Sequence, residues 1–226
     1  MKQRKRHMSR YKAPKISYST DEVFAAACAA QRINGEYIKE DKHLYDTDGY
    51  VLSVEKVANK KLTSQFLRGD FEISDNDREQ GQEVRQYCNS LTFKILQGKT
   101  LSEFEQTMLK IADKETVDSF YDIAVVSSLP ASYERSKVRR EQSNRLLDHR
   151  GCLDQAAGTV VDLEIEVVRC NYSNNWDTYY VTAIVENAVV FFAFRDQIEL
   201  GSKIRVKGKV KSHKEDRTQL SHVKVV

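Results

Sequence analysis

The stretch Lys203-Ile-Arg-Val-Lys-Gly-Lys-Val-Lys211 carries a cation at every second position, with apolar residues or glycine between the cations. A period of two predicts a β-strand with one buried and one exposed face. Alternating or apolar runs of similar length lie on both sides of this stretch, at residues 161–168, 178–185, 188–194 and 218–225. The last third of the chain is therefore predicted to contain five strands.

These strands lie within residues 158–226, with a longer connection at residues 195–201 between the third and the fourth. Their count, order and loop placement match the oligonucleotide/oligosaccharide-binding (OB) barrel. The segments Leu200-Gly-Ser-Lys-Ile-Arg-Val-Lys-Gly-Lys-Val210 and Thr218-Gln-Leu-Ser-His-Val-Lys-Val225 resemble those of OB-fold modules in bacteriophage replication and recombination proteins. This resemblance covers only the last third of the chain, and it implies single-stranded nucleic acid as the ligand.

Upstream of residue 149 the apolar positions follow a helical period. The first helix is expected to begin at the capping-box sequence Ser19-Thr-Asp-Glu22 and to end at Asn34-Gly35. Further helices are predicted over residues 54–67, 74–97, 101–111, 116–129 and 131–148. The sequence thus predicts an α+β chain, with an all-α helical bundle over 19–148, a linker over 149–157 and an OB-fold barrel over 158–226.

The first fifteen residues contain seven Lys and Arg residues and no acid, although the net charge of the whole chain is only +3. The rest of the chain is therefore net acidic, and the basic character belongs to an arm over residues 1–18. Two interpretations of this arm are open. It is either an electrostatic tether to phosphates or a solvated tail.

Aromatic residues are concentrated on the first loop and on the second and third strands of the predicted barrel. In an OB barrel these elements form the ligand-binding face, where stacking a base on a ring contributes roughly 1–3 kcal/mol. Alternation along the strands assigns about half of the rings to the core. The rings that we assign to nucleic-acid binding are Tyr172, Trp176, Tyr179, Tyr180 and Phe192.

The cations of the fourth strand have two open roles, phosphate binding and ion pairing. In the OB order this strand lies beside the first strand, whose outward residues are acidic, so Arg205 and Lys207 are expected to pair with acids such as Asp162. The cations assigned to phosphate contacts are Lys209, Lys211, Lys214 and Arg217, with Arg139 and Arg140 as further candidates in the helical domain.

No catalytic motif is visible, because the chain contains no phosphate-binding loop, no nucleophile elbow and no HExxH zinc motif. The pairs Asp46/Asp48 and Asp75/Asp77 are interpreted as turn and helix-cap residues. The histidines are scattered, and the cysteines are too far apart for a zinc pair. The sequence therefore predicts a binding protein without metal or cofactor, not an enzyme.

The predicted function is that of a single-stranded DNA-binding accessory protein of phage-type DNA replication, recombination or repair. An accessory role is favoured because the chain ends in His222-Val-Lys-Val-Val226 and not in a flexible acidic tail. Expected partners are single-stranded DNA and replication or recombination proteins, with self-association through the helical domain as an option. No membrane-spanning segment is visible, which indicates the cytoplasm, or the host cytoplasm if the protein is viral. Two alternatives stay open: a protein-interaction module built on the OB barrel, and an RNA-binding protein.

Overall fold

The computed structural model describes residues 17–226, which divide into two compact units with the boundary between Arg135 and Ser136. The predicted basic arm lies almost entirely outside the described residues. The helices are α1 (Thr20–Asn34), α2 (Asn59–Leu67), α3 (Asp75–Ser90), α4 (Thr92–Leu96), α5 (Glu103–Ala112), α6 (Phe120–Val126) and α7 (Leu129–Asp148). The strands are β1 (Tyr18–Ser19), β2 (Lys42–Tyr45), β3 (Val51–Lys56), β4 (Thr116–Val117), β5 (Val160–Ser173), β6 (Thr178–Val185), β7 (Ala188–Phe194), β8 (Lys203–Lys214) and β9 (Arg217–Val225).

Helix α1 is the central element of the first unit. Its N-cap Ser19 accepts a hydrogen bond from the backbone N–H of Glu22, and Gly35 ends it in the left-handed conformation, as the sequence predicts. Residues 23–30 of this helix are all buried, because α2 and α3 pack against different sides of it. The core of the unit forms where α1 meets apolar side chains of α3, α5 and α6, including Val84, Ile111 and Val126.

A glycine permits the close approach of α1 and α3. A Cβ atom added at Gly81 would lie 2.7 Å from the backbone nitrogen of Ala25 and 2.9 Å from its Cα atom. Only glycine fits this position without a shift of the helix backbones, although glycine lowers intrinsic helix stability.

The first unit is not all-α, which corrects the sequence-based prediction. Residues 51–56 form β3, which pairs with β2, so the helix predicted over 54–67 begins only at Asn59. The helix predicted over 74–97 is interrupted at Leu91, and residues 116–117 pair with β1. Pro130 lies at the start of α7, where its missing N–H group costs no helical hydrogen bond.

The second unit contains a closed barrel of five strands in the order β5-β6-β7-β9-β8, with β8 returning to β5. All neighbours are antiparallel except β7 and β9, which are parallel. This arrangement is compatible with an OB-fold-like barrel. Its interior is filled by alternate side chains of all five strands, among them Ile165, Val181, Val190, Val206 and Leu220.

The parallel ladder between β7 and β9 is the shortest in the barrel. It consists of two residue pairs, Val190 with Thr218 and Phe191 with Gln219. The antiparallel ladders on either side each contain seven pairs.

Part of the outer barrel surface is covered by the segment over residues 143–151, which precedes β5. Ser143 accepts a hydrogen bond from Arg169 of β5 at 2.7 Å, and the carbonyl of Gly151 accepts one from the backbone of Val189 in β7 at 3.0 Å. A Cβ atom at Gly151 would lie 2.7 Å from the carbonyl oxygen of Asn187. The outer side chains below this segment are accordingly buried, at Thr182, Ile184 and Val189.

Candidate nucleic-acid interface

The uncovered part of the outer surface carries a pair of stacked aromatic rings. Tyr180 of β6 and Phe191 of β7 have ring centroids 5.7 Å apart and an interplanar angle of 8°. Their chain neighbours Val181, Val190 and Phe192 point into the core, so alternation directs these two rings outward. Both are half-buried, which leaves an aromatic surface that is fixed in position and accessible to solvent.

Phe192 does not belong to this surface, which corrects the sequence-based assignment. Its side chain is fully buried in the barrel core, with an edge-to-face contact to Phe194. Phe191 takes the outer position in its place. The one-residue error arises because β7 is apolar on both faces, so its sequence does not show which face is inside.

A pocket of about 340 Å³ lies next to Phe191. It is bordered by Gln219 of β9, which is the register partner of Phe191, and by three residues at the β8–β9 hairpin end. These are Lys214, the last residue of β8, Glu215 of the turn, and Arg217, the first residue of β9. Two of the predicted phosphate-binding cations therefore lie beside an outward aromatic ring, together with two side chains that the sequence did not single out.

A second aromatic group lies at the tip of the β5–β6 hairpin. The rings of Tyr172 and Tyr179 have centroids 5.0 Å apart, and the Tyr172 hydroxyl donates a hydrogen bond to Asp177. This hydrogen bond raises the pKa of Tyr172. Trp176 lies in the turn with 74% of its surface exposed, more than any other aromatic residue of the described chain. The tip thus presents an indole that is mostly uncovered by the barrel's own packing.

The pairing expectation for the fourth barrel strand is confirmed for two cations. Arg205 donates two hydrogen bonds to the carboxylate of Asp162 on β5, at 2.7 and 3.1 Å, and Lys207 lies 3.4 Å from the same group. The hydrogen bond from Arg205 lowers the pKa of Asp162. These two cations therefore share one carboxylate of the barrel.

The remaining predicted cations lie elsewhere on the second unit. Lys209 and Lys211 are exposed and form no ion pair with another described residue, but neither lines the pocket next to Phe191. Lys209 has Val160 and Ser221 as its strand neighbours, and Lys211 lies at a register shift in β8. Arg139 and Arg140 are exposed on α7. The structure therefore places Lys214 and Arg217 in the pocket of Phe191, and none of the other four lines it. Arg217 also forms an ion pair with its chain neighbour Asp216 at 3.1 Å.

The acidic pairs have the structural roles expected of them. Asp46 accepts backbone hydrogen bonds from Asp48 and Tyr50 at the β2–β3 turn. Asp77 completes a capping box with Ser74 at the start of α3. Within residues 17–226, no group of three His, Cys, Asp or Glu side chains is arranged to hold a metal ion.

Comparison of the chain with protein-family models, with curated proteins and with solved structures finds no match. Of the helices in the described part of the chain, none has the length and apolar character needed to cross a membrane.

Proposed function

We propose that the C-terminal barrel binds single-stranded DNA on its outer surface, through the stacked Tyr180–Phe191 pair and the neighbouring pocket. The observation that carries this proposal is the position of Lys214 and Arg217 beside the outward ring of Phe191. Rings that stack on bases and cations that contact phosphates are the two components from which single-strand sites are built. In an OB barrel the corresponding strands and the last hairpin loop contact the ligand.

The hairpin tip provides a second contact for the same strand. Trp176 is exposed and has no role in the core, so its indole is available to stack on a base. A single strand suits this surface better than a duplex, because the bases of a duplex are already stacked on each other.

The biological context that we propose is an accessory role in DNA replication, recombination or repair, as the resemblance of the barrel segments implies. In this role the first unit supplies protein contacts. It exposes large apolar side chains on the β2–β3 hairpin and on α4, including Tyr50, Leu52, Phe93 and Leu96, and such surfaces are typical of protein interaction sites.

Fluorescence anisotropy with a labelled, mixed-sequence single strand of about 15 nucleotides tests the proposal across a salt series. The double variant Lys214→Gln/Arg217→Gln is expected to bind more weakly, with a salt dependence reduced by about 1.4 in the logarithmic slope, because two phosphate contacts are lost. The matched control is Arg205→Gln/Lys207→Gln. It removes the same charge from the same barrel, but its cations share the carboxylate of Asp162 and do not line the pocket, so its salt slope is expected to stay close to that of the unmodified protein.

Equal losses in the two double variants would contradict the proposed site, because they would show that only net charge matters. No binding by the unmodified protein at low salt would contradict the proposal itself and favour a protein-interaction module. An RNA strand of the same sequence that binds more tightly than the DNA strand would reassign the ligand to RNA.

A further inference from the structure

The pocket next to Phe191 combines a ring with hydrogen-bonding groups of opposite character. Glu215 lies in the β8–β9 turn with a φ of 47°, and its carboxylate has no hydrogen bond or ion pair with another described residue. A carboxylate can only accept hydrogen bonds. The pocket therefore contains an acceptor that the protein itself leaves unused.

The second polar group of the pocket is the amide of Gln219. Its Oε1 atom accepts a hydrogen bond from the hydroxyl of Ser212 at 3.4 Å. This hydrogen bond leaves the Nε2 group of Gln219 as a donor. The pocket thus offers an unpaired acceptor and a neutral donor beside the ring of Phe191, and the cations Lys214 and Arg217, which also line it, suit a phosphate.

We propose that this pocket selects among bases, and that it prefers bases in which an exocyclic amino group adjoins a ring acceptor, with cytosine preferred over thymine. This inference rests on the proposed binding of single-stranded DNA. A cytosine stacked on Phe191 donates its N4 amino group to Glu215 and accepts from Gln219 through N3 or O2. Adenine presents the same donor and acceptor pair, but it is a larger base.

Thymine is disfavoured in the position that cytosine takes on Phe191. There it presents the O4 acceptor in place of the N4 donor, which brings an oxygen lone pair towards the Glu215 carboxylate. Thymine can donate to Glu215 only through N3–H, which requires the ring to shift from the cytosine position. The two pyrimidines have similar size and similar stacking surface. The difference in binding between them therefore reports on the hydrogen-bonding edge and not on the ring.

The test compares oligo-deoxycytidine with oligo-deoxythymidine of equal length, by anisotropy at mildly alkaline pH, where cytosine N3 is unprotonated. The full-length protein is expected to bind the cytosine strand about tenfold more tightly. In Glu215→Gln the ratio of the two dissociation constants is expected to fall towards one, because an amide can also donate to thymine O4.

Glu186→Gln is the matched control. Glu186 is also a turn glutamate with a positive φ of 49°, at the β6–β7 turn, and it does not line the pocket. This control loses the same charge from the same kind of turn, and it is expected to keep the full preference for cytosine.

Equal affinities for the two strands in the unmodified protein would overturn the base preference while leaving single-strand binding in place. A preference that persists in Glu215→Gln would overturn the assigned role of Glu215. Absence of binding to both strands would instead overturn the proposed function on which the inference rests.

Discussion

Among single residues, Asp77 shows how one carboxylate stabilises a helix start and a contact between helices. It is fully buried and accepts two hydrogen bonds from Arg32 of α1, both at 2.9 Å. It also accepts hydrogen bonds from the backbone and the hydroxyl of Ser74. Burial by itself raises the pKa of Asp77, but the hydrogen bonds from Arg32 and Ser74 outweigh it, and the pKa lies below its ordinary value.

The pKa of Asp77 predicts a pH-dependent stability. At neutral pH, Asp77→Asn is expected to lower the free energy of unfolding by about 2–3 kcal/mol, less than for a fully buried pair because Arg32 is half-exposed. Because the native pKa is depressed, this contribution is complete above about pH 4 and is lost as the pH falls through the native value. Urea unfolding at neutral and acidic pH measures the difference.

The control for this prediction is Asp75→Asn, which changes an exposed acid in the same helical turn. It is expected to have a smaller effect. A cost for Asp77→Asn that stays constant down to strongly acidic pH would contradict the assigned role of its charge.

Trp176 allows a direct optical test of the hairpin tip. It is the single tryptophan of the chain, so the intrinsic indole fluorescence comes from this position alone. Binding of single-stranded DNA is expected to quench this fluorescence, and Trp176→Ala is expected to weaken binding about tenfold. Tyr121→Ala removes another exposed ring, on α6 of the first unit, and should leave the affinity unchanged. Unquenched fluorescence at saturation would exclude the tip from the contact.

The candidate site shows how far single residues could be predicted from the sequence. Lys214 and Arg217 were expected in the last hairpin loop; they lie at the ends of β8 and β9, on either side of a two-residue turn, because the strands extend further than their alternation indicates. Phe191 was missed, because residues 189–192 are apolar at every position and give no alternation to follow. The outer face of β7 is apolar at Val189 because the segment before the barrel covers that residue and buries it.

At the scale of elements, strand and helix assignments succeeded where a strong period or a cap was present. Strands β5 and β8 follow their alternation closely, and α1 begins and ends at its predicted caps. The error at residues 54–58 arose because Val54 and Val57, three residues apart, fit a helical face, although Val54 belongs to β3. Strand β3 is fixed by its pairing with β2, which a local period does not reveal.

The contact between α1 and α3 yields a prediction at this scale. Gly81→Ala is expected to lower the free energy of unfolding by about 1–3 kcal/mol, because the added Cβ atom would overlap the backbone of Ala25. Helix propensity alone predicts that the free energy of unfolding rises by about 1 kcal/mol. The sign of the measured change therefore shows whether the steric overlap or the helix propensity is larger. Gln82→Ala, at the next and exposed position of α3, is the control and should be neutral or slightly stabilising. Thermal or urea unfolding measures both.

At the scale of the whole molecule, each of the two units has a hydrophobic core made from its own residues. A fragment of residues 136–226 is therefore expected to fold alone and to unfold cooperatively in urea. A shorter fragment of residues 158–226 lacks the segment that covers Val189, so it is expected to be less stable. Circular dichroism during urea titration compares the two. Equal stability would show that the segment adds nothing to the barrel.

The short parallel ladder between β7 and β9 has a consequence for how the barrel fluctuates. Phe191 belongs to β7, while Arg217 and Gln219 belong to β9. A nucleotide that contacts residues of both strands would hold the two strands together across this seam, the short β7–β9 ladder. Transient opening of the seam should then become rarer when DNA is present. Amide hydrogens of residues 217–219 are therefore expected to exchange more slowly with solvent in the complex than in the free protein.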